Sequence, residues 1–290
     1  MSSQDSLQRF LFQKADIRGE VVRLTESWQT ILAHKNYPPL IRSYLGEIMT
    51  ASVLLAATLK LDGSLTVQAT GNGHLNLLVA ECKDDLSVRC VAKHSADIPE
   101  QASLRELLGE GSLAITIEQN NGQSYQGVVN IKGDSIAQLL ENYLQSSEQL
   151  NTRIWLAAGV ESSGGLLLQE LPSQQGNIDE DWERFNALAS TIKDDELLNL
   201  PPEEIIYRLF HEEQVQIFQP NPVQFKCNCS HAKVTGMLRS LNQDEALEIM
   251  KEEGFIEVNC EFCGKNYRFD EMDLAEIYRP KQSGNNNSIH

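Results

Sequence analysis

A chain of 290 residues with 41% hydrophobic content has the length for two domains and enough apolar material for a folded core. Its formal net charge of −17 argues against a nucleic-acid binder, which needs Lys and Arg to neutralise phosphates, and favours solubility. The opening MSSQDSLQRFLFQKADIRGE lacks an apolar signal core. The longest apolar stretch, Ile48 to Leu59, is broken by Thr50, Ser52 and Thr58 and is too short to span a bilayer. The expectation is a cytoplasmic protein with neither nucleic acid nor membrane as a partner.

In chain order, Ile17 to Leu24 reads as a strand, and Trp28 to His34 as a helical turn that Tyr37-Pro38-Pro39 breaks. From Pro39 to Leu59, apolar positions at Leu40, Ile41, Leu45, Ile48, Met49 and Val53 predict a helix with a buried face. Gly63 to Gly71 alternates as a strand, and Leu75 to Cys82 and Leu86 to Ala92 follow as two more, joined through Lys83-Asp84-Asp85. Leu113 to Glu118 and Tyr125 to Ile131 form a hairpin across Asn120-Asn121-Gly122. Ile136 to Ser146 is a helix capped by Asp134 or Ser135, and Arg153 to Val160 and Gly165 to Leu171 are closing strands. Helices and strands do not alternate regularly, so the fold class is α+β, with a large core domain of mixed sheet and helix over 1–172.

Composition changes at Pro172, and Ser173 to Asn177 reads as a linker. From Asp179 to Phe210 the chain is helical and acidic, and Pro201-Pro202 interrupts it and starts a second helix. Trp182, Phe185, Leu188, Ala189 and Ile192 fall at helical spacing, so this arm has an apolar face that must pack on something. The helical acidic linker arm is assigned to 173–221, a small zinc-binding domain to 222–280 and a disordered polar tail to 281–290. Within the small domain, Ser230 caps a helix to Leu241, and Asn242 caps another that Gly254 ends. Phe255 to Asn259 and Asn266 to Phe269 are hairpin arms.

That hairpin carries Cys260-Glu261-Phe262-Cys263, thirty residues after Cys227-Asn228-Cys229. Two close cysteine pairs, far apart in sequence, are what a closed tetrahedral zinc site takes, with four thiolates at about 2.3 Å. Gly264 follows the second pair where a knuckle often needs positive φ. A domain of this size has little core, so a metal is a natural staple. In a cytosolic setting such pairs bind metal or do redox chemistry more often than they form permanent disulfides. The single residue between Cys227 and Cys229 leaves two readings open. The site either only staples the domain, or also reacts, since a disulfide across one residue closes a strained and easily reduced ring.

Other candidates carry blander readings. Cys82 and Cys90 sit on neighbouring strands as core thiols. His231 beside Cys229 has no vacancy to fill once four cysteines ligate, and His34, His74 and His94 form no triad with a nucleophile. Gly71-Asn72-Gly73 is a turn and lacks the third glycine of a dinucleotide fingerprint. Residues 222–280 hold seven Lys or Arg against eleven Asp or Glu, which disfavours a zinc ribbon on nucleic acid.

The cysteine pattern resembles the zinc centre of the bacterial 33 kDa chaperonin family, redox-regulated heat-shock holdases. Ser43 to Ala56 is similar to the family's early helix, and Gly63 to Glu81 to its core strands. Gly127 to Ile131, Tyr143-Leu-Gln-Ser-Ser-Glu-Gln149, Phe210 to Glu213 and Cys263 to Tyr267 fit as well. The resemblance implies a non-enzymatic, ATP-independent chaperone that keeps unfolding proteins soluble under heat and oxidative stress. It implies one Zn2+ per chain on Cys227, Cys229, Cys260 and Cys263 in an inactive reduced state. It further implies oxidation to the disulfides Cys227–Cys229 and Cys260–Cys263, loss of zinc, unfolding of the small domain, loosening of the arm and an active homodimer. The alternative is a thiol–disulfide oxidoreductase, which would favour an exposed Cys-x-x-Cys at a helix N-terminus.

Overall fold

The computed structural model describes residues 5–172 and 178–279; the linker read at 173–177 and the polar tail read at 281–290 lie outside them. The chain forms an α+β fold that divides into two compact units, Met1–Lys226 and Cys227–His290. The larger unit runs β1 (Ser6–Phe12), β2 (Ile17–Leu24), α1 (Glu26–His34), α2 (Pro39–Thr58), β3 (Gly63–Gly71), β4 (Leu75–Lys83), β5 (Ser87–His94) and α3 (Leu104–Leu108). It continues through β6 (Gly111–Gln119), β7 (Ser124–Asn130), α4 (Ile136–Tyr143), a π-helical turn (Leu144–Glu148), β8 (Thr152–Ala158) and β9 (Ser163–Glu170). Next come α5 (Ile178–Ala189), α6 (Asp194–Asn199), α7 (Pro202–Phe210), β10 (Val215–Ile217), β11 (Asn221–Pro222) and β12 (Gln224–Phe225). The smaller unit holds α8 (His231–Leu238), α9 (Gln243–Glu253), β13 (Ile256–Asn259), β14 (Asn266–Phe269) and α10 (Glu271–Ile277).

Two six-stranded sheets build the larger unit. The first has the order β10-β1-β2-β9-β8, with β11 also on β1; the second has the order β12-β5-β4-β3-β6-β7. Helix α2 lies between them. Pro39 opens it, where a missing N–H costs nothing, and its buried Ile41, Leu45, Ile48, Met49 and Val53 pack with Val22 and Leu24 of one sheet and Val67 and Leu78 of the other. At 20 residues it is long and apolar enough to cross a membrane, but two-thirds of its apolar window is buried in this core.

Alternation along β2 supplies both faces of the first sheet: Val22 and Leu24 meet α2, while Ile17 and Val21 face the acidic helices. Those helices, α5 to α7, close over the sheet as a fourth layer. Phe185, Leu197, Ile205 and Phe210 are buried there with Phe10, Phe12 and Leu166. Phe12 stacks on Phe185 at 3.9 Å and meets Phe210 edge-on at 5.0 Å. At Gly164 the fit is so close that a Cβ would lie 2.2 Å from the carbonyl oxygen of Leu197. Arg23 Nε and Ser162 Oγ both donate to the Leu198 carbonyl, at 2.9 and 2.8 Å, and fix α6 to the sheet.

The structure adds elements that the sequence pattern does not announce. Ser6–Phe12 is a full strand, and after the acidic helices the chain returns as β10 and β11 on β1 and as β12, parallel to β5. The sequence assigns the small domain from residue 222, but β11 and β12 pair into the core sheets and the smaller compact unit begins at Cys227. The helix expected over 136–146 is capped by Ser135, whose Oγ accepts from the Gln138 N–H at 3.3 Å. It leaves α geometry after Tyr143 for the π turn, which Gln149 ends in the left-handed region at φ 55°.

Candidate metal centre

The smaller unit has a core of Val234, Leu238, Ala246, Met250, Ile256, Phe269 and a few neighbours, with Cys229 and Cys260 packed at its edge. Local chemistry sets each cysteine. Cys227 and Cys229 precede α8, whose N-cap Ser230 accepts from the Lys233 N–H at 3.2 Å. Cys260 and Cys263 span the turn between β13 and β14. There the Gly264 N–H donates to Cys260 O at 2.8 Å and the Cys260 N–H to Lys265 O at 2.9 Å. Gly264 takes φ +67°, a conformation that a side chain resists.

These two knuckles bring all four sulfurs within 4.8 Å of one another, and all four residues are half-buried. Cys227 and Cys260 Sγ are 3.6 Å apart, and Cys229 and Cys263 Sγ 3.4 Å. A tetrahedral centre with Zn–S of about 2.3 Å needs sulfur separations of about 3.8 Å. Four thiols at this spacing, with no disulfide among them, therefore fit a closed four-cysteine centre and could hold a metal ion.

The thiols are not equivalent. Burial opposes ionisation of Cys229, but hydrogen bonds from Tyr267 and from the three other thiols outweigh it and hold Cys229 down at about 7. Tyr267 Oη donates to Cys229 Sγ at 3.1 Å, and that bond to the thiolate pushes the phenol up to about 12. Burial, reinforced by its bonds to the other sulfurs, pushes Cys263 up to about 12, and burial also raises Cys227. Cys229 is thus the thiol that its hydrogen bonds favour as a thiolate, the form in which a cysteine binds a cation.

His231 stands apart from the cluster. Its ring packs on Phe269 at 4.7 Å, with Nδ1 3.3 Å from Thr235 Oγ1. Cys82 and Cys90 are buried on β4 and β5, 0% and 1% exposed, and burial raises both thiols. The Cys260-x-x-Cys263 turn follows a strand and not a helix N-terminus, so no helix dipole activates it as in a dithiol oxidoreductase. Tyr267 was not visible in the sequence as part of the site. It lies opposite Val258 in the β13–β14 register, and only that pairing shows that its hydroxyl reaches Cys229.

A family model described as Hsp33 protein matches residues 5–270. The 33 kDa chaperonin of Nitrosococcus oceani is 45% identical over 278 residues, covering 96% of this chain and 96% of the relative. That of Chromobacterium violaceum is 46% identical over 281 residues, covering 96% and 95%. The crystal structure of the 33 kDa chaperonin (heat shock protein 33 homolog) of Thermotoga maritima shares the fold with a TM-score of 0.81 at 22% identity, covering 94% of this chain and 97% of that one.

Proposed function

Because the chain belongs to the Hsp33 family, a family of chaperones, we propose that it is a redox-regulated, ATP-independent holdase of the cytoplasm, with no enzymatic activity. In the reduced protein one Zn2+ per chain sits on Cys227, Cys229, Cys260 and Cys263. The observation that carries this reading is the four-sulfur cluster at the edge of a small core. Bound zinc would keep the ligands as thiolates and contribute on the order of 10 kcal/mol to folding such a unit.

Oxidation acts on this chain's own sulfurs. Cys227 and Cys229 together give two electrons to a peroxide and join as one disulfide, and the peroxide takes up two protons and leaves as two waters. Cys260 and Cys263 do the same. A disulfide needs its sulfurs at about 2.0 Å and cannot ligate, so each pair formed removes two of the four donors. Sulfur contacts of 3.6 and 3.4 Å run between the pairs, which suits a shared ligand set. Closing Cys227–Cys229 and Cys260–Cys263 therefore remakes both knuckles and leaves the small core without its staple. β12 ends at Phe225, so along the chain the first knuckle begins close to the last strand of the core.

The acidic helices are the element that such loosening would release. They bury Phe185, Leu197, Ile206 and Phe210, and they expose a rim of carboxylates. Lifted from the sheet, they would uncover Phe10, Phe12 and Leu166 together with their own stripe. That is an apolar surface for an unfolding client beside charge that keeps the complex soluble. The active form is a homodimer, and neither nucleic acid nor membrane is a partner.

The deciding experiment treats zinc-loaded protein with peroxide at raised temperature and follows zinc release and light scattering from an aggregating client. Zinc release together with suppressed scattering is expected. Zinc release with unsuppressed scattering would sink the redox-switched holdase reading, and catalytic turnover of a disulfide substrate would replace it with an oxidoreductase.

A further inference from the structure

The Tyr143–Gln149 segment has no part in the metal centre or in the acidic helices, yet it leaves α geometry for a π turn, a distortion frequent at functional sites. With Tyr143, Leu144 and Leu150 it forms one wall of a cavity of about 410 Å³ inside the larger unit. The other walls are the end of α2, with Leu55 and Leu59, and the β3–β6 pair, with Leu65, Ile115 and Ile117. This size and apolar character match a small-molecule site, which holds a ligand's body in hydrocarbon and orients it with few polar groups.

The polar groups here are unequal. Arg18 of β2 lines the cavity half-buried, and its hydrogen-bond acceptor is a neutral one: Gln169 Oε1, 3.2 Å from Nε and 2.5 Å from Nη2. Gln169 is itself buried, and its Nε2 donates to Thr152 Oγ1 at 2.8 Å, so its oxygen is fixed toward the guanidinium. Glu20, the carboxyl that feels Arg18, is buried and held toward its neutral form by that burial. The anion of the cavity, Glu148, is exposed at the rim with Tyr125 Oη at 3.5 Å, where water screens it. The guanidinium is therefore the cation on the cavity wall, and with Nε and Nη2 turned to Gln169 its Nη1 is the donor left for a carboxylate.

We propose that this cavity binds a single-chain amphiphile with a carboxylate head, its alkyl chain among Leu55, Leu65, Ile115 and Leu144 and its carboxylate on Arg18. The test titrates full-length, zinc-loaded protein with octanoate and with octanamide, its neutral counterpart, by calorimetry and by methyl chemical shifts. Saturable binding at one site per chain is expected, with octanoate about tenfold or more tighter than octanamide, as a charge-assisted pair gives. Arg18→Gln should lose that preference. Leu59→Trp, at an exposed position on the cavity wall, should weaken both ligands while leaving the fold intact. Equal affinity for the two ligands, octanoate binding unchanged in Arg18→Gln, or no saturable binding at all would overturn the proposal. None of these readouts involves client holding, so the outcome stands apart from the redox-switch reading.

Discussion

Tyr267 and Glu20 show how one polar group's surroundings set its charge. At the four-thiol cluster a phenol hydrogen bond, donated to Cys229, helps hold that thiol down at about 7 in spite of burial. In the larger unit Glu20 of β2 has the opposite fate. It is 2% exposed, its Oε2 lacks a hydrogen-bond partner among the described residues, and burial, opposed by Arg18 and Arg9, pushes its carboxyl up to about 7. The folded state therefore holds this proton more tightly than the unfolded chain does. Between the ordinary carboxylate range and about pH 7 it binds more protons, so stability falls as pH rises through that window, by roughly 3 kcal/mol from this group. Glu20→Gln should remove the dependence and gain stability over the parent at pH ~8 relative to pH ~5. Urea unfolding read by Trp28, Trp155 and Trp182, all in the larger unit, measures it. Parallel pH profiles for variant and parent would refute this account of Glu20.

Among the elements, α6 is held by geometry as much as by apolar area. β9 is paired on both sides, by β2 and β8, so it cannot yield to a larger residue at Gly164, and the helix must lift instead. Gly164→Val should weaken the seating of the acidic helices by about 1–3 kcal/mol. Amides of 194–210 should then exchange faster, and the reduced protein should hold clients without an oxidant. Unchanged exchange over 194–210 would show that the contact at Gly164 does not seat the helices. Elements governed by their own residues were legible in the sequence. The expected strand at Ile17–Leu24 and helix from Pro39 are there, as are the caps Ser230 and Asn242 and the stop at Gly254. β10, β11 and β12 were not, because strands of two or three residues show no alternation and exist only through partners more than a hundred residues away.

For the whole molecule, the two units are stabilised by different means. The larger buries a continuous apolar core between two sheets around α2, whereas the smaller has few buried residues and a cluster of thiols. With zinc on the cluster as proposed, chelating it from the reduced protein should make the amides of α8, α9, β13 and β14 exchange rapidly while α2 and β3–β6 stay protected, as hydrogen exchange by mass spectrometry would show. Uniform loss of protection would mean one cooperative core in place of two. The sequence by itself determined which thiols form the cluster, since no other residues in this chain offer two close thiol pairs, and it determined the apolar stripe of the acidic helices. It did so because ligand chemistry and helical periodicity are local. Only the tertiary structure decided that the stripe covers Phe10, Phe12 and Leu166, that Tyr267 reaches Cys229, and that Arg18 lines an apolar cavity. Each of those depends on strand register and packing across the chain, which no local pattern carries.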